Sequence, residues 1–153
     1  MTNTVRKANI EDVIRIQELI NTVAKLGQVL PRSLNEIYEN LRDFVVFEEK
    51  GALYGCCALH ITWQNLAEVR SLVVHESKQG QGIGHKLIDF CINEAGQLKI
   101  KKIFLLTEKP EFFKKFNFKQ IEKSQLPHKI WNECVCCIKF PECNEVAMLK
   151  EIS

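Results

Sequence analysis

The chain is expected to fold as a mixed α/β (α+β) protein, a central mixed sheet flanked by helices. Three observations lead there. Strand-like runs pair as hairpins in the first half, a strand–loop–helix–strand unit occupies the middle, and no repeat or linker breaks the order. A length of 153 residues fits a single domain over 1–153, large enough to need no disulfide staple. With 26% charged residues and a net charge of +2, composition excludes disordered, collagen-like and coiled-coil classes. It also gives no reason to expect a nucleic-acid or membrane partner.

The elements follow in order. Thr4 to Ala8 is strand-like. Val13, Ile14, Ile16, Ile20 and Val23 recur near a 3.6 period, which predicts an amphipathic helix ending around Gly27. Pro31 blocks continuation, and Ser33 can cap a second helix reaching about Leu41. Phe44 to Phe47 is β-branched and aromatic. The turn Glu49-Lys50-Gly51 joins it to a return strand, Ala52 to Ile61. Ala67 to Val74 is the next strand. A glycine-rich loop leads into a helix from about Gly82 to Glu94, with Gly96 as its expected stop. Lys101 to Leu106 is strand-like, Pro110 to Lys115 a short aromatic helix, and strands near Phe118–Ile121 and Glu145–Leu149 close the chain.

The N-terminus lacks a run of signal-peptide length, and no apolar stretch approaches a membrane span. A cytoplasmic protein with reduced thiols is therefore expected.

Gln79-Gly80-Gln81-Gly82-Ile83-Gly84 places three glycines between a strand and a helix start. Glycines allow close backbone approach, and the first turn of a helix offers unpaired N–H groups. The pattern suits a phosphate cradle better than a plain flexible turn. It is not a P-loop, because no Lys-Ser/Thr follows. Nor does it follow a first strand, as a dinucleotide fold requires.

Residues 73–88, from Val73-Val74-His75 through the loop to Leu87-Ile88, resemble the acetyl-CoA motif of the GNAT acetyltransferases. That motif reads Gln/Arg-x-x-Gly-x-Gly/Ala, matched by Gln79, Gly82 and Gly84. Phe112-Phe113-Lys114-Lys115-Phe116-Asn117-Phe118 resembles the family's later aromatic segment, with Asn117 where glycine is usual; Asn tolerates positive φ. The resemblance implies a mostly antiparallel sheet with a V-shaped opening between the strands at 67–74 and 101–107. It implies acetyl-CoA as co-substrate, its pyrophosphate held by the backbone of Gln79, Gly80, Gln81, Gly82, Ile83 and Gly84. The strand edge at Leu72, Val73 and Val74 would pair with the pantetheine arm. An amine would then attack the thioester directly, once a base or water chain has removed its proton.

Four further segments resemble the acetyltransferase domain of bacterial N-acetylglutamate synthases. They are Leu30-Pro31-Arg32-Ser33, Tyr54 to His60, Ala67 to Val74, and Leu105-Leu106-Thr107. The implied acceptor is L-glutamate, at the entry to arginine biosynthesis. The amino-acid kinase unit of the long synthases is not expected here, and any arginine response is expected to take another route. A dicarboxylate acceptor calls for forked cationic donors, and Arg32 and Arg70 are the candidates. Arg32 can equally be a solvated loop arginine, and Arg70 a structural partner of Glu68 two residues away on one strand face. Glu68 is a candidate general base. His60 is a second base candidate or a hydrogen-bonded strand histidine. Ser71 can serve a water chain or simply fill space.

Two features depart from the family. Phe113 stands where many relatives carry a tyrosine that acts as acid to the leaving thiolate. The stretch before the last strand, arginine-bearing in the synthases, is here a cysteine cluster with Lys139 as its positive charge. Cys134 and Cys137 have C-x-x-C spacing and Cys143 follows. With Cys136 or His128, these could hold a structural zinc. An unliganded reduced cluster and a regulatory disulfide are the alternatives. Cys56, Cys57 and Cys91 are expected in the core. The expected partners are a small-molecule amino-acid substrate and, as an option, a second copy in a homodimer. Two competing readings are a CoA-binding sensor module and an acetyltransferase for another amine.

Overall fold

The computed structural model describes residues 3–25, 32–126 and 145–152. Its strands are β1 Asn3–Lys7, β2 Phe44–Glu49, β3 Ala52–Trp63, β4 Leu66–Val74, β5 Lys102–Thr107, β6 Lys119–Ile121 and β7 Val146–Glu151. Its α-helices are α1 Val13–Ala24, α2 Leu34–Glu39, α3 Ile83–Gln97 and α4 Pro110–Lys114, with short 3₁₀ turns between. The strands form one sheet in the order β1-β2-β3-β4-β5-β7-β6. Every neighbouring pair is antiparallel except β4 with β5. The mixed, mostly antiparallel sheet with flanking helices is the architecture expected.

Local chemistry sets the boundaries. Lys50 and Gly51 both take left-handed φ, 52° and 82°, the geometry of a two-residue hairpin turn between β2 and β3. Ser33 caps α2: its Oγ accepts from the Glu36 N–H at 3.1 Å, and Glu36 Oε1 accepts from the Ser33 N–H at 3.2 Å.

The stop of α3 differs from expectation. Gly96 lies inside the helix, and Lys99 instead takes φ 64° beyond its end. The Lys99 N–H donates to Gly96 O and the Ile100 N–H to Ala95 O. That bond pair closes a helix whichever side chain holds the left-handed position. Lys99→Gly is therefore expected to stabilise the fold by about 1 kcal/mol by removing left-handed strain. The check is a higher urea midpoint at unchanged slope.

Strand alternation divides the core. Cys57, Leu59, Ala67 and Val69 face α3, together with Leu87, Ile88 and Cys91. Cys56, Ala58 and Val73 face α1 and α2, against Ile16, Ile20 and Ile37. The three cysteines are buried, as expected.

The sheet opens where β4 and β5 part. Their parallel pairing runs from Leu66↔Lys102 to Glu68↔Phe104 and stops. Just beyond, Ala58 still faces Arg70, but Cys56 faces Val73, so Cys57 opposes both Ser71 and Leu72. Ser71 absorbs the extra residue at φ 57°. Such a bulge bends its strand and increases local twist, here at the point where β4 leaves β5.

Candidate active site

A cleft of about 860 Å³ fills the opening. One wall is β4 from Glu68 to Val74, the other Leu105 to Thr107 and α4, and the glycine loop forms one end. Beyond Glu68 the β5-facing edge of β4 has no strand beside it among the described residues. Leu72, Val73 and Val74 line the cleft along that edge.

At the loop end, Gly80 and Gly82 take φ of 80° and 83°. Gly82 is the N-cap of α3, and no side chain caps that terminus. The first-turn residues Ile83, Gly84 and His85 border the cleft, which presents the unpaired N–H groups of a 15-residue helix to it. Gln79 Nε2 donates to Val74 O at 3.0 Å and ties the loop to the end of β4. A methyl group on Gly84 would lie 3.4 Å from the Phe112 ring, so α4 stands directly over the helix start. Gln81 is exposed and is not among the lining residues.

Lys78 also lines the cleft, paired with Glu49 at 2.7 Å and set over the Tyr54 ring. Lys109 and Lys115 border the cleft from the two ends of α4. These three lysines were not singled out from the sequence. Their signal was a cation immediately before the glycine loop and others flanking the aromatic helix.

At the other end Arg32, Glu68, Arg70 and Ser71 come together. The Arg32 backbone is moored to α1: its N–H donates to Asn21 Oδ1, and its carbonyl accepts from Gln17 Nε2. Its side chain reaches Glu36 Oε2 and Ser71 Oγ, each at 3.4 Å. Burial pushes the Glu36 carboxyl up, but the Ser33 N–H and the Arg32 charge outweigh it and hold the group below the usual range. Arg70 Nη1 lies 3.5 Å from Glu68 Oε1, and Glu68 is nearly buried. Both arginines thus have carboxylate partners and still border the cleft.

His60 does not line the cleft. Its Nδ1 is 2.6 Å from Asp43 Oδ2, so the ring is held on the turn that follows α2. His60 stands opposite Glu68 across the sheet, and of the two base candidates it is Glu68 that borders the cleft. Burial pushes the Cys56 thiol up to about 12, which makes it a poor nucleophile. Phe113 is buried, and no tyrosine lines the cleft among the described residues.

Cys134, Cys137 and Cys143 lie outside the described residues, as do Cys136, His128 and Lys139. Among the described residues no group of three or more His, Cys, Asp or Glu is placed to hold a metal. No described helix is long and apolar enough to cross a membrane.

The chain matches known proteins over this same unit. A family model for the acetyltransferase (GNAT) domain matches residues 40–120. An uncharacterised N-acetyltransferase of Chlorobaculum tepidum is 38% identical over 148 residues, 97% of this chain and 96% of that protein. An amino-acid acetyltransferase of Mycobacterium tuberculosis is 35% identical over 133 residues, 84% of this chain and 75% of that protein. The crystal structure of Rv2747 from M. tuberculosis, in complex with CoA and NLQ, has a TM-score of 0.84 at 29% identity. It covers 98% of this chain and 99% of that one.

Proposed function

The chain belongs to the GNAT family of acetyl-CoA-dependent acetyltransferases, and on that premise we propose that its acceptor is the α-amino group of L-glutamate. One observation carries the reading: a single cleft joins an uncapped, glycine-lined helix start to a pair of arginines beside a nearly buried glutamate. The amino-acid acetyltransferase related to this chain supports the acceptor class.

In this reading the loop N–H groups from Gln79 to Gly84 bind the pyrophosphate of acetyl-CoA. The open edge at Leu72 to Val74 pairs with the pantetheine amides and lays the thioester along the cleft. Arg32 and Arg70 take the acceptor's carboxylates as forked donors. Glu68 receives the ammonium proton, directly or through water, and frees the lone pair for attack on the thioester carbonyl. Backbone donors at the β4 bulge steady the tetrahedral oxyanion. No hydroxyl stands at Phe113, so the thiolate leaves without an acid from that position. Its low basicity, set by a free-thiol pKa of about 8.5, allows this.

The arginine assignment is tested by steady-state kinetics. Arg32→Ala is expected to raise KM for glutamate roughly tenfold and to leave kcat within about twofold, the pattern of lost uniform binding. An unchanged KM removes Arg32 from the acceptor site. A protein that binds acetyl-CoA but acetylates no amine belongs instead to the sensor reading, which the missing tyrosine favours.

A further inference from the structure

The bulge in β4 is held from behind by a thiol. Cys56 Sγ donates to the Ser71 carbonyl oxygen at 3.4 Å. The thiol is fully buried in the apolar cluster with Ile16, Ile20 and Val73. The Val73 N–H interacts with the same sulfur. A thiol is both a weak donor and a weak acceptor, and this one meets one group of each kind. The Ser71 carbonyl and the Val73 N–H belong to the two peptide groups that flank Leu72, so one sulfur engages both.

The direction of those groups decides what Leu72 shows to the cleft. In a trans peptide the C=O and the following N–H point opposite ways. The Ser71 carbonyl is turned toward Cys56 on β3, so the Leu72 N–H points away from β3. The same relation turns the Leu72 carbonyl away from the Val73 N–H and its sulfur. Away from β3 lies the β5-facing edge, which has no strand beside it at this level among the described residues. Leu72 lines the cleft along that edge. It therefore offers the cleft a donor and an acceptor, as an edge strand offers them to an added strand.

Ser71 makes this orientation costly to hold. Its φ of 57° is left-handed, an unfavourable conformation for a residue with a Cβ. Relaxation of β4 would turn the peptide group, and the Leu72 N–H with it. Arg32 Nε reaches Ser71 Oγ at 3.4 Å, which anchors the side chain rather than the peptide. The Cys56 bond is what opposes the turn. Burial pushes the thiol up to about 12, so it keeps its proton at neutral pH and remains a donor.

We propose that Cys56 is a positioning residue for acetyl transfer: its thiol fixes the Ser71–Leu72 peptide group so that the Leu72 N–H is aimed at the thioester oxygen of acetyl-CoA. The proposal rests on the thioester lying along β4, as in the preceding section, and not on which amine accepts the acetyl group. Cys56 touches no reacting atom and forms no covalent bond. It acts through the peptide group it holds.

The test is the infrared spectrum of acetyl-CoA, isotopically labelled at the thioester carbonyl, bound to the full-length protein. A hydrogen bond to that oxygen weakens the C=O bond and lowers its stretching frequency, and no acceptor is needed to see it. The wild type is expected to lower the frequency relative to free acetyl-CoA. Cys56→Val fills the space without a donor and is expected to lose most of that shift. With whichever amino acid the protein acetylates, Cys56→Val is also expected to lower kcat roughly tenfold at unchanged acceptor KM, less than removal of an oxyanion donor outright. Cys56→Ser keeps a donor and is expected to keep most of the shift. A role in packing alone reverses that order, because valine fills the space and a buried hydroxyl does not suit it. That reversed order, or a shift that both variants keep or both lose, would overturn the proposal. No shift in the wild type would place the thioester away from this edge and overturn the preceding reading as well.

Discussion

Gly82→Asp is expected to lower acetyl-CoA affinity at least about a hundredfold while the protein stays folded. A Cβ at this position meets nothing within 4 Å, so no clash follows. The backbone penalty at φ 83° is about 1 kcal/mol, and Asp is among the residues that tolerate it best. A negative charge at the start of α3 also suits the helix dipole. The damage falls on the ligand. In the proposed site the new carboxylate stands where the loop N–H groups would receive pyrophosphate, and two like charges about 4 Å apart repel by about 4 kcal/mol at an effective dielectric of 20. Gly82→Ala is the control: it carries the strain without the charge and is expected to keep affinity within about tenfold. Calorimetry with acetyl-CoA checks both. Equal affinity for wild type and Gly82→Asp would move the phosphate site away from this loop.

Asp12→Ala is expected to be the most destabilising single change outside the core, by about 3 kcal/mol. The Asp12 side chain is 1% exposed. It accepts from Arg6 Nη1 at 2.7 Å and Nη2 at 3.0 Å, from Arg15 Nη2 at 2.8 Å, and from the Asn9 N–H at 2.8 Å. Alanine removes all four bonds and the capping box that starts the first helical turn. Arg6 keeps Glu48 at 3.0 Å and partial exposure, which holds the cost at the low end for a broken buried pair. The pH dependence has a definite sign. Burial pushes the Asp12 carboxyl up, but the Arg6 and Asn9 hydrogen bonds outweigh it, and the net position is below the usual carboxylate value. Its stabilisation is thus complete above the unfolded-state pKa of about 3.9 and is lost as pH falls through the lower folded-state value. Urea unfolding of Asp12→Asn is expected to show a shallower loss of stability in acid than the wild type. A parallel acid limb in both proteins would separate Asp12 from that loss.

Local patterns were legible in the chain itself. The Glu49-Lys50-Gly51 turn, the Ser33 cap and the glycine loop before α3 each depend on residues within four positions, and each sits as expected. Asn117, where the family usually has glycine, takes φ 69°, the left-handed conformation that its short amide tolerates. The end of α3 was misplaced because the left-handed position is chosen by backbone bonds from Ala95 and Gly96, and lysine can be forced into it. The site was legible in its chain-local parts, such as the Glu68–Arg70 pair at two-residue spacing. The hydrogen-bonded strand histidine at His60 was legible as an alternative, but its partner was not, because Asp43 lies 17 residues earlier and reaches it only through the fold. Lys78 escaped for the same reason: Glu49 and Tyr54, which orient it, come from the earlier hairpin.

This cleft is expected to transfer acetyl from acetyl-CoA to an amino acid. The most direct measurement is competition: the purified full-length chain, acetyl-CoA and an equimolar mixture of the twenty amino acids, with free thiol followed in solution and products identified by mass. N-acetylglutamate as the dominant product, formed in step with thiol release, is the predicted result. Thiol release with a different acetylated amino acid would keep the transfer and replace the acceptor. Thiol release with no acetylated amino acid, or no release from a protein that binds acetyl-CoA, would rule out amino-acid acetylation in this cleft.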